Sequence, residues 1–381
     1  MTKRVGIIGG GQLAWMMADA GKKLELELIV QTPQADDPAV AIATQTIFAA
    51  IDDAAATAQL VPLCDVITFE NEFINLTALS PLAQQILFYP SLFSLAPLLD
   101  KYNQRSYLQS LDLPTPKFVA LSKGTDLSQL GFPIVLKARQ HGYDGKGTFI
   151  AKTRSHLEQL LNEFGNGLDQ WLLEEFVPFD CELAVMAARS PAGEIVIYPV
   201  VETQQVDQVC RRVLVLPQEP AIVEQVEAIA RSLLTSLDFV GIMGIEFFLL
   251  KGKVWVNETA PRTHNSGHYS LDACVTSQFE QQLRAVCGMP LGDPALQYAG
   301  AVMVNLVGYE SAEQNYRSQR QQLEQIPHAH VYWYGKSISR PGRKMGHVTV
   351  TLSSTDISTD ISTGREQILA IAQNIESIWY G

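Results

Sequence analysis

Apolar residues along the first hundred positions come in short runs separated by helix-forming stretches. Val5–Gly10, Leu26–Val30 and Asp65–Phe69 read as buried strands, and Gln12–Ala20 as a helix between the first two. Strands that alternate with helices predict a doubly wound α/β domain with a parallel sheet, whose functional residues collect at the carboxyl ends of the strands. Leu95–Ser110 reads as a helix stopped by Leu113-Pro114-Thr115-Pro116. Beyond it, strand patterns at Lys117–Leu121, Pro133–Ala138, Thr148–Lys152 and Trp171–Phe176 mix with a helix at Arg154–Phe164. A second helix spans about Ala221–Leu237. Gly288–Pro294 reads as a linker. Strands at Ala301–Leu306 and His347–Leu352 and a helix near Gly364–Ile375 complete the chain. The reading is α/β followed by α+β, in three segments: 1–100, 101–290 and 291–381.

The chain has 381 residues, 47% hydrophobic and 18% charged, a globular composition. A formal net charge of −12 argues against nucleic acid as a partner. No apolar run reaches membrane-spanning length, so no membrane is expected. Met1–Arg4 runs directly into a strand pattern, and the five cysteines show no metal-knuckle spacing. A reducing, cytoplasmic compartment is the simplest reading.

Gly9-Gly10-Gly11-Gln12-Leu13-Ala14 fits the G-x-G-x-x-A pattern of a strand-to-helix turn. It admits three readings: a dinucleotide site, a tight turn without a ligand, or a helix N-terminus that takes a substrate phosphate. The dinucleotide reading wants an acid at the end of the second strand, and Gln31-Thr32-Pro33 stands there instead.

The most informative stretch is Gly241–Glu258, two apolar runs around Lys251-Gly252-Lys253. A three-residue hairpin loop pairs Leu250 with Val254, Phe248 with Val256 and Glu246 with Glu258. Two carboxylates then face each other across the strands, which is destabilising unless a cation or a shared proton intervenes. Oxygen-only ligands favour Mg²⁺ shared with substrate phosphates. Strict alternation sends Asn257 to the opposite face. Lys137 ends an apolar strand, and the loop Gly142–Gly147 behind it can approach phosphates closely. Glu174 to Val177 end another strand, where backbone groups from Glu175 through Phe176 to Val177 can read a base.

Together with GGGQL (Gly9–Leu13), FENE (Phe69–Glu72), GYDGKG (Gly142–Gly147), NETAPRTHNSGH (Asn257–His268) and YGKSISRPGRKMGH (Tyr334–His347), these residues resemble the ATP-grasp superfamily. Within it the chain is most similar to the N5-carboxyaminoimidazole ribonucleotide synthetases, over nearly its whole length. The resemblance implies a pre-ATP-grasp domain, an ATP-grasp core, a small C-terminal β-rich domain and a homodimer. It implies ATP and Mg²⁺, with bicarbonate and aminoimidazole ribonucleotide as the other substrates.

The same resemblance assigns residues. ATP contacts fall to Lys101, Lys137, the loop Gly142, Tyr143, Asp144, Gly145, Lys146, Gly147 and Thr148, then Glu174, Glu175, Phe176, Val177, Glu182, Gln205, Asn257 and Glu258. Mg²⁺ falls to Glu246, Glu258 and Asn257. Ribonucleotide and bicarbonate contacts fall to Gly11, Gln12, Leu13, Glu70, Tyr143, Asp144, Lys146, Arg262, His264, Asn265, Lys336 and Arg343. Arg262, His264 and Asp144 are the implied catalytic groups. Lys146 stands where arginine is common, and Gln205 where some relatives carry histidine. A formate-dependent glycinamide ribonucleotide transformylase is the nearest alternative, an NAD oxidoreductase a remoter one.

Overall fold

A computed structural model describes residues 2–381 except 123, 128–129, 141, 143–146, 165–166 and 359. The N-terminal segment forms a five-stranded parallel sheet in the order Gln45–Phe48, Glu27–Thr32, Arg4–Ile8, Val66–Phe69, Leu87–Phe88. The expected Gln12–Ala20 helix is two short helices, Gln12–Trp15 and Ala18–Lys23.

Next comes a small four-stranded antiparallel sheet, Phe118–Ala120, Trp171–Glu175, Ile134–Ala138 and Thr148–Ala151. It is backed by the helix Arg154–Phe164. The expected Leu95–Ser110 helix begins only at Lys101, because Asp100 caps it by accepting from the amides of Tyr102 and Asn103 at 2.9 and 3.1 Å.

The remaining strands make one large nine-stranded sheet. Its order is Lys253–Ala260, Gly241–Leu250, Cys181–Arg189, Val201–Val206, Val209–Val215, Gly300–Val307, Lys344–Leu352, Ala329–Trp333, with Ile195–Ile197 beside the third. The C-terminal strands therefore continue the sheet of the middle segment, through the pairing of Val209–Val215 with Gly300–Val307. The helix Pro220–Ser236 covers one face with Ile222, Val226, Ile229 and Leu233, spaced at helical period. The terminal helix runs Ile361–Tyr380, longer than expected, and buries Ile368, Ala372, Ile375 and Trp379 against the other end. The helix Gln278–Val286 packs Phe279, Leu283 and Val286 into the core of the N-terminal domain and thereby fixes that domain to the large sheet.

Candidate active site

All three parts border one cleft of about 1690 Å³. Every described residue that the resemblance assigns to a ligand or metal lines it, apart from Gly147. Tyr143, Asp144, Gly145 and Lys146 lie outside the described residues.

The hairpin differs from expectation in an instructive way. Its loop has two residues, Lys251 and Gly252, both left-handed at φ 50° and 75°, as a tight hairpin turn with right-handed strand twist requires. Leu250 therefore pairs with Lys253 and Phe247 with Val256, one step off the expected register. A β-bulge between Glu246 and Phe247 then restores Glu246 opposite Glu258. The extra residue is Asn257. Val254 and Val256 pack into the core under the sheet, alternation turns Asn257 to the cleft, and the bulge turns Glu258 there as well. The apparent conflict over Asn257 disappears.

Cations gather around this edge. Lys101 Nζ is 2.5 Å from Glu258 Oε1. Lys137 Nζ donates to Asn257 Oδ1 at 3.0 Å and pairs with Glu174 Oε2 at 2.9 Å. Burial acts to raise Glu174, but Arg105 and Lys137 outweigh it and hold the carboxyl down at about 2. Glu174 is thus committed to two cations. Glu175 gives its own N–H to the carbonyl of Lys117 at 2.9 Å. Phe179 and Phe248 stack in parallel at 4.8 Å and line the cleft with Phe176 and Val177 as an apolar wall.

Glu246 sits in a different electrostatic setting. Burial, then the charges of Glu258 and Glu182, push it up to about 7. Burial also raises Glu182 to about 7, against the pull of Lys137. Among the described residues no group of three or more His, Cys, Asp and Glu could hold a metal ion alone. Two facing carboxylates with an amide oxygen beside them fit instead a hard cation that draws its other ligands from phosphates.

His264 Nε2 lies 3.7 Å from Glu246 Oε1, and its Nδ1 is 2.9 Å from Ser266 Oγ. Gln278 grips its backbone on both sides, accepting from the N–H at 2.9 Å and donating to the carbonyl at 2.7 Å. Arg262 pairs with Glu72 at 3.0 Å. Asn265 exchanges two amide hydrogen bonds with Asn305, at 2.9 and 2.7 Å, so its side chain serves first to fix the loop. On the far wall Lys336 donates to Gln12 Oε1 at 2.6 Å, and Arg343 donates to the carbonyl of Ile338 at 2.6 Å.

The glycine turn holds a carboxyl of the chain itself, which burial pushes above its ordinary range. Glu70 accepts from the amides of Gly11 and Leu13 at 3.1 and 3.2 Å. A Cβ on Gly11 would sit 2.4 Å from Glu70 Oε1. Two of the amides that a dinucleotide or substrate phosphate at this turn would use are engaged by Glu70 in the ligand-free chain. Sequence reasoning also missed Gln104, Arg105 and Gln278. The spacing of Lys101, Gln104 and Arg105 on one helix face was the available signal.

Three family models match the chain in succession. They are a ribonucleotide synthetase preATP-grasp domain over residues 1–96, an ATP-grasp domain over 106–279 and a phosphoribosylaminoimidazole carboxylase C-terminal domain over 301–360. The chain is 53% identical to the N5-carboxyaminoimidazole ribonucleotide synthase of Synechococcus elongatus, over 99% of this chain and 96% of that one. The chain belongs to the N5-carboxyaminoimidazole ribonucleotide synthase family. Its membership makes it an ATP-grasp ligase. Another synthase of this family, from Synechocystis, is 50% identical over 99% of this chain and 98% of that one. Among solved structures, the synthase of Aspergillus clavatus complexed with ATP superposes with a TM-score of 0.89 at 28% identity, covering 99% of both chains. The same enzyme with ADP and 5-aminoimidazole ribonucleotide gives 0.88, again at 28% identity and 99% of both chains. The Thermotoga maritima synthetase gives 0.83 at 38% identity over 98% of both.

Proposed function

We infer that this chain carboxylates the exocyclic amine of 5-aminoimidazole ribonucleotide with bicarbonate, in purine biosynthesis, consuming ATP. The products are N5-carboxyaminoimidazole ribonucleotide, ADP and phosphate. The observation that carries the reading is the edge Glu246, Asn257 and Glu258, which faces Lys101 and Lys137 in the same cleft as Arg262, His264 and Lys336.

Bicarbonate is a weak electrophile, and phosphorylation makes it a strong one. A bicarbonate oxygen attacks the γ-phosphorus, ADP leaves, and carboxyphosphate forms. The amine then attacks its carbon, phosphate departs with the bridging oxygen, and the amine gives up a proton. Glu246, Glu258 and Asn257 are the residues to hold Mg²⁺, which supplies charge neutralisation at the transferring phosphoryl group. Lys101 and Lys137 exchange their present partners, Glu258 and Asn257, for phosphate oxygens. Arg262, one turn of chain beyond the metal strand, presents a fork to bicarbonate or carboxyphosphate. His264, held by Gln278, orients the acid and accepts the proton. Lys336 and Arg343 receive the ribose phosphate, and the apolar wall of Phe176, Val177, Phe179 and Phe248 receives adenine.

We divide the chain into a pre-ATP-grasp segment 1–100, an ATP-grasp segment 101–290 and a C-terminal segment 291–381. The five cysteines are free, and among the described residues no helix is long and apolar enough to cross a membrane. On these grounds and the family resemblance we read a homodimer of a reducing, cytoplasmic compartment. An ADP-release assay tests the function. Release is expected only when ATP, bicarbonate and aminoimidazole ribonucleotide are all present. Release supported by formate and glycinamide ribonucleotide would replace this reading with the transformylase.

A further inference from the structure

The helix Lys101–Ser110 presents Lys101, Gln104 and Arg105, at positions i, i+3 and i+4, to the outer edge of the strand Lys253–Ala260. Lys101 meets Glu258, as described. Gln104 takes both backbone groups of Thr259, accepting from its N–H at 3.0 Å and donating to its carbonyl at 3.1 Å. Arg105 is buried, and its guanidinium divides three ways. Nη2 donates to the carbonyl of Asn257 at 2.5 Å, Nη1 to that of Val256 at 3.3 Å, and Nε to Glu174 at 2.6 Å. These contacts bracket the bulge on both sides.

A bulge takes backbone groups off the ladder, and buried groups without partners are costly. Here side chains of one helix supply the partners. The contacts also close into a ring. Arg105 binds Glu174, Glu174 binds Lys137, Lys137 binds the Asn257 side chain, and the Asn257 carbonyl returns to Arg105. Neither Gln104 nor Arg105 lies among the residues singled out for ligand contact. Their contacts are with the backbone and the side chains that carry those residues.

The geometry points to Arg105 as a positioning residue for the nucleotide and metal site. With Gln104 it fixes the bulge, so that Asn257 and Glu258 both face the cleft before any ligand arrives. The planar fork reaches two carbonyls and a carboxylate from separate nitrogens, a spread that the single nitrogen of a lysine does not match even though it keeps the charge. The inference rests on the reading of Glu246, Asn257 and Glu258 as the metal and phosphate edge.

Calorimetric titration of ADP, with and without Mg²⁺, into the wild-type chain and Arg105→Lys tests it. In the variant the Mg²⁺-dependent gain in ADP affinity is expected to shrink by about tenfold or more, the scale on which ligand-supporting residues act. Metal-free ADP affinity should stay within about threefold, because the lysine ammonium still reaches Glu174. A variant that keeps the wild-type gain from Mg²⁺ overturns the inference. So does one in which melting temperature and both affinities fall in parallel, the mark of a merely structural residue. A wild-type chain indifferent to Mg²⁺ removes the metal reading and this inference with it.

A second measurement needs no variant. Backbone hydrogen exchange over residues 254–260 of the nucleotide-free wild type is expected to be slow. Fast exchange there, slowed only by ADP and Mg²⁺, would contradict positioning in advance. Neither readout depends on turnover. If the ADP-release assay fails while Arg105→Lys loses the Mg²⁺ gain, the reaction assignment falls and the positioning role stands.

Discussion

A methyl group on Gly244 would lie 2.5 Å from His264 Cβ and 2.9 Å from its Cγ. The root of a side chain cannot swing away as a flexible tip can, so Gly244→Ala must displace either the strand or the imidazole. Overpacking of this kind costs about 1–3 kcal/mol. A displacement near 1 Å at a reacting group costs on the order of 100-fold in rate. Gly244→Ala is therefore expected to lose most turnover while keeping a cooperative melt. Steady-state kinetics beside thermal denaturation checks this, and wild-type kcat would place His264 outside the reaction.

Glu246 and Glu182 give a pH-dependent signature. Both are raised from 4.5 to about 7. Between those values the folded chain holds more protons than the unfolded one, so the stability these groups contribute without metal falls as pH rises through that window. A cation bound between the carboxylates favours the ionised form. Binding of ADP with Mg²⁺ near neutral pH should therefore release protons, and release should fade toward about pH 8.5, where both groups are already ionised. Calorimetry in two buffers of different ionisation heat measures this directly.

At this scale the lysines and paired glutamates were legible, because charge on an apolar strand is conspicuous. Glu70 was assigned to substrate by resemblance, and its hold on the glycine turn was not legible. The motif says that an acceptor fits there, and only the fold shows the chain's own carboxyl in that place.

Elements carry the next layer. Asp100 caps the helix that delivers Lys101, Gln104 and Arg105, and it also pairs with Arg139 at 3.0 Å. Asp100→Ala removes a cap worth about 1 kcal/mol and loosens the helix end that holds Lys101 against Glu258. The melting temperature should fall by about 1–2 °C in a chain of 381 residues. ADP affinity should fall with it, as a titration on the same sample would show. An unchanged melt would mean that the first turn is held by packing alone.

The hairpin shows what pattern reading can and cannot reach. Alternation and the Lys-Gly turn locate two strands and put Glu246 opposite Glu258. The expected register was nevertheless one residue off, and a bulge at Asn257 compensated. No residue in Val254–Ala260 announces a bulge. Its partners, Gln104 and Arg105, stand about 150 positions earlier in the chain, with separations of 151 to 155 residues for those contacts. Long-range backbone satisfaction of this kind leaves no local trace in sequence.

For the whole molecule, the N-terminal parallel sheet was legible from its alternation of strands and helices, and the cleft from motifs at strand ends. The continuity of the large sheet was not, since Val209–Val215 and Gly300–Val307 look alike as edge or interior strands. That continuity matters for chemistry. It ties the wall bearing Lys336 to the wall bearing Glu246 through paired strands, while the helix Gln278–Val286 anchors the turn bearing Gln12. Lys336 and Gln12, 324 residues apart in sequence, meet at 2.6 Å across the mouth. Phosphoryl transfer and amine carboxylation can then share one enclosure, with the intermediate passed over a short distance.

The central claim is that the paired glutamates bring metal and nucleotide to bear on bicarbonate. The most direct test is ADP release by Glu258→Ala with ATP, Mg²⁺, bicarbonate and aminoimidazole ribonucleotide all present, on protein shown by its melt to be folded. Release is expected to vanish. Turnover at the wild-type rate in that folded variant would contradict the account.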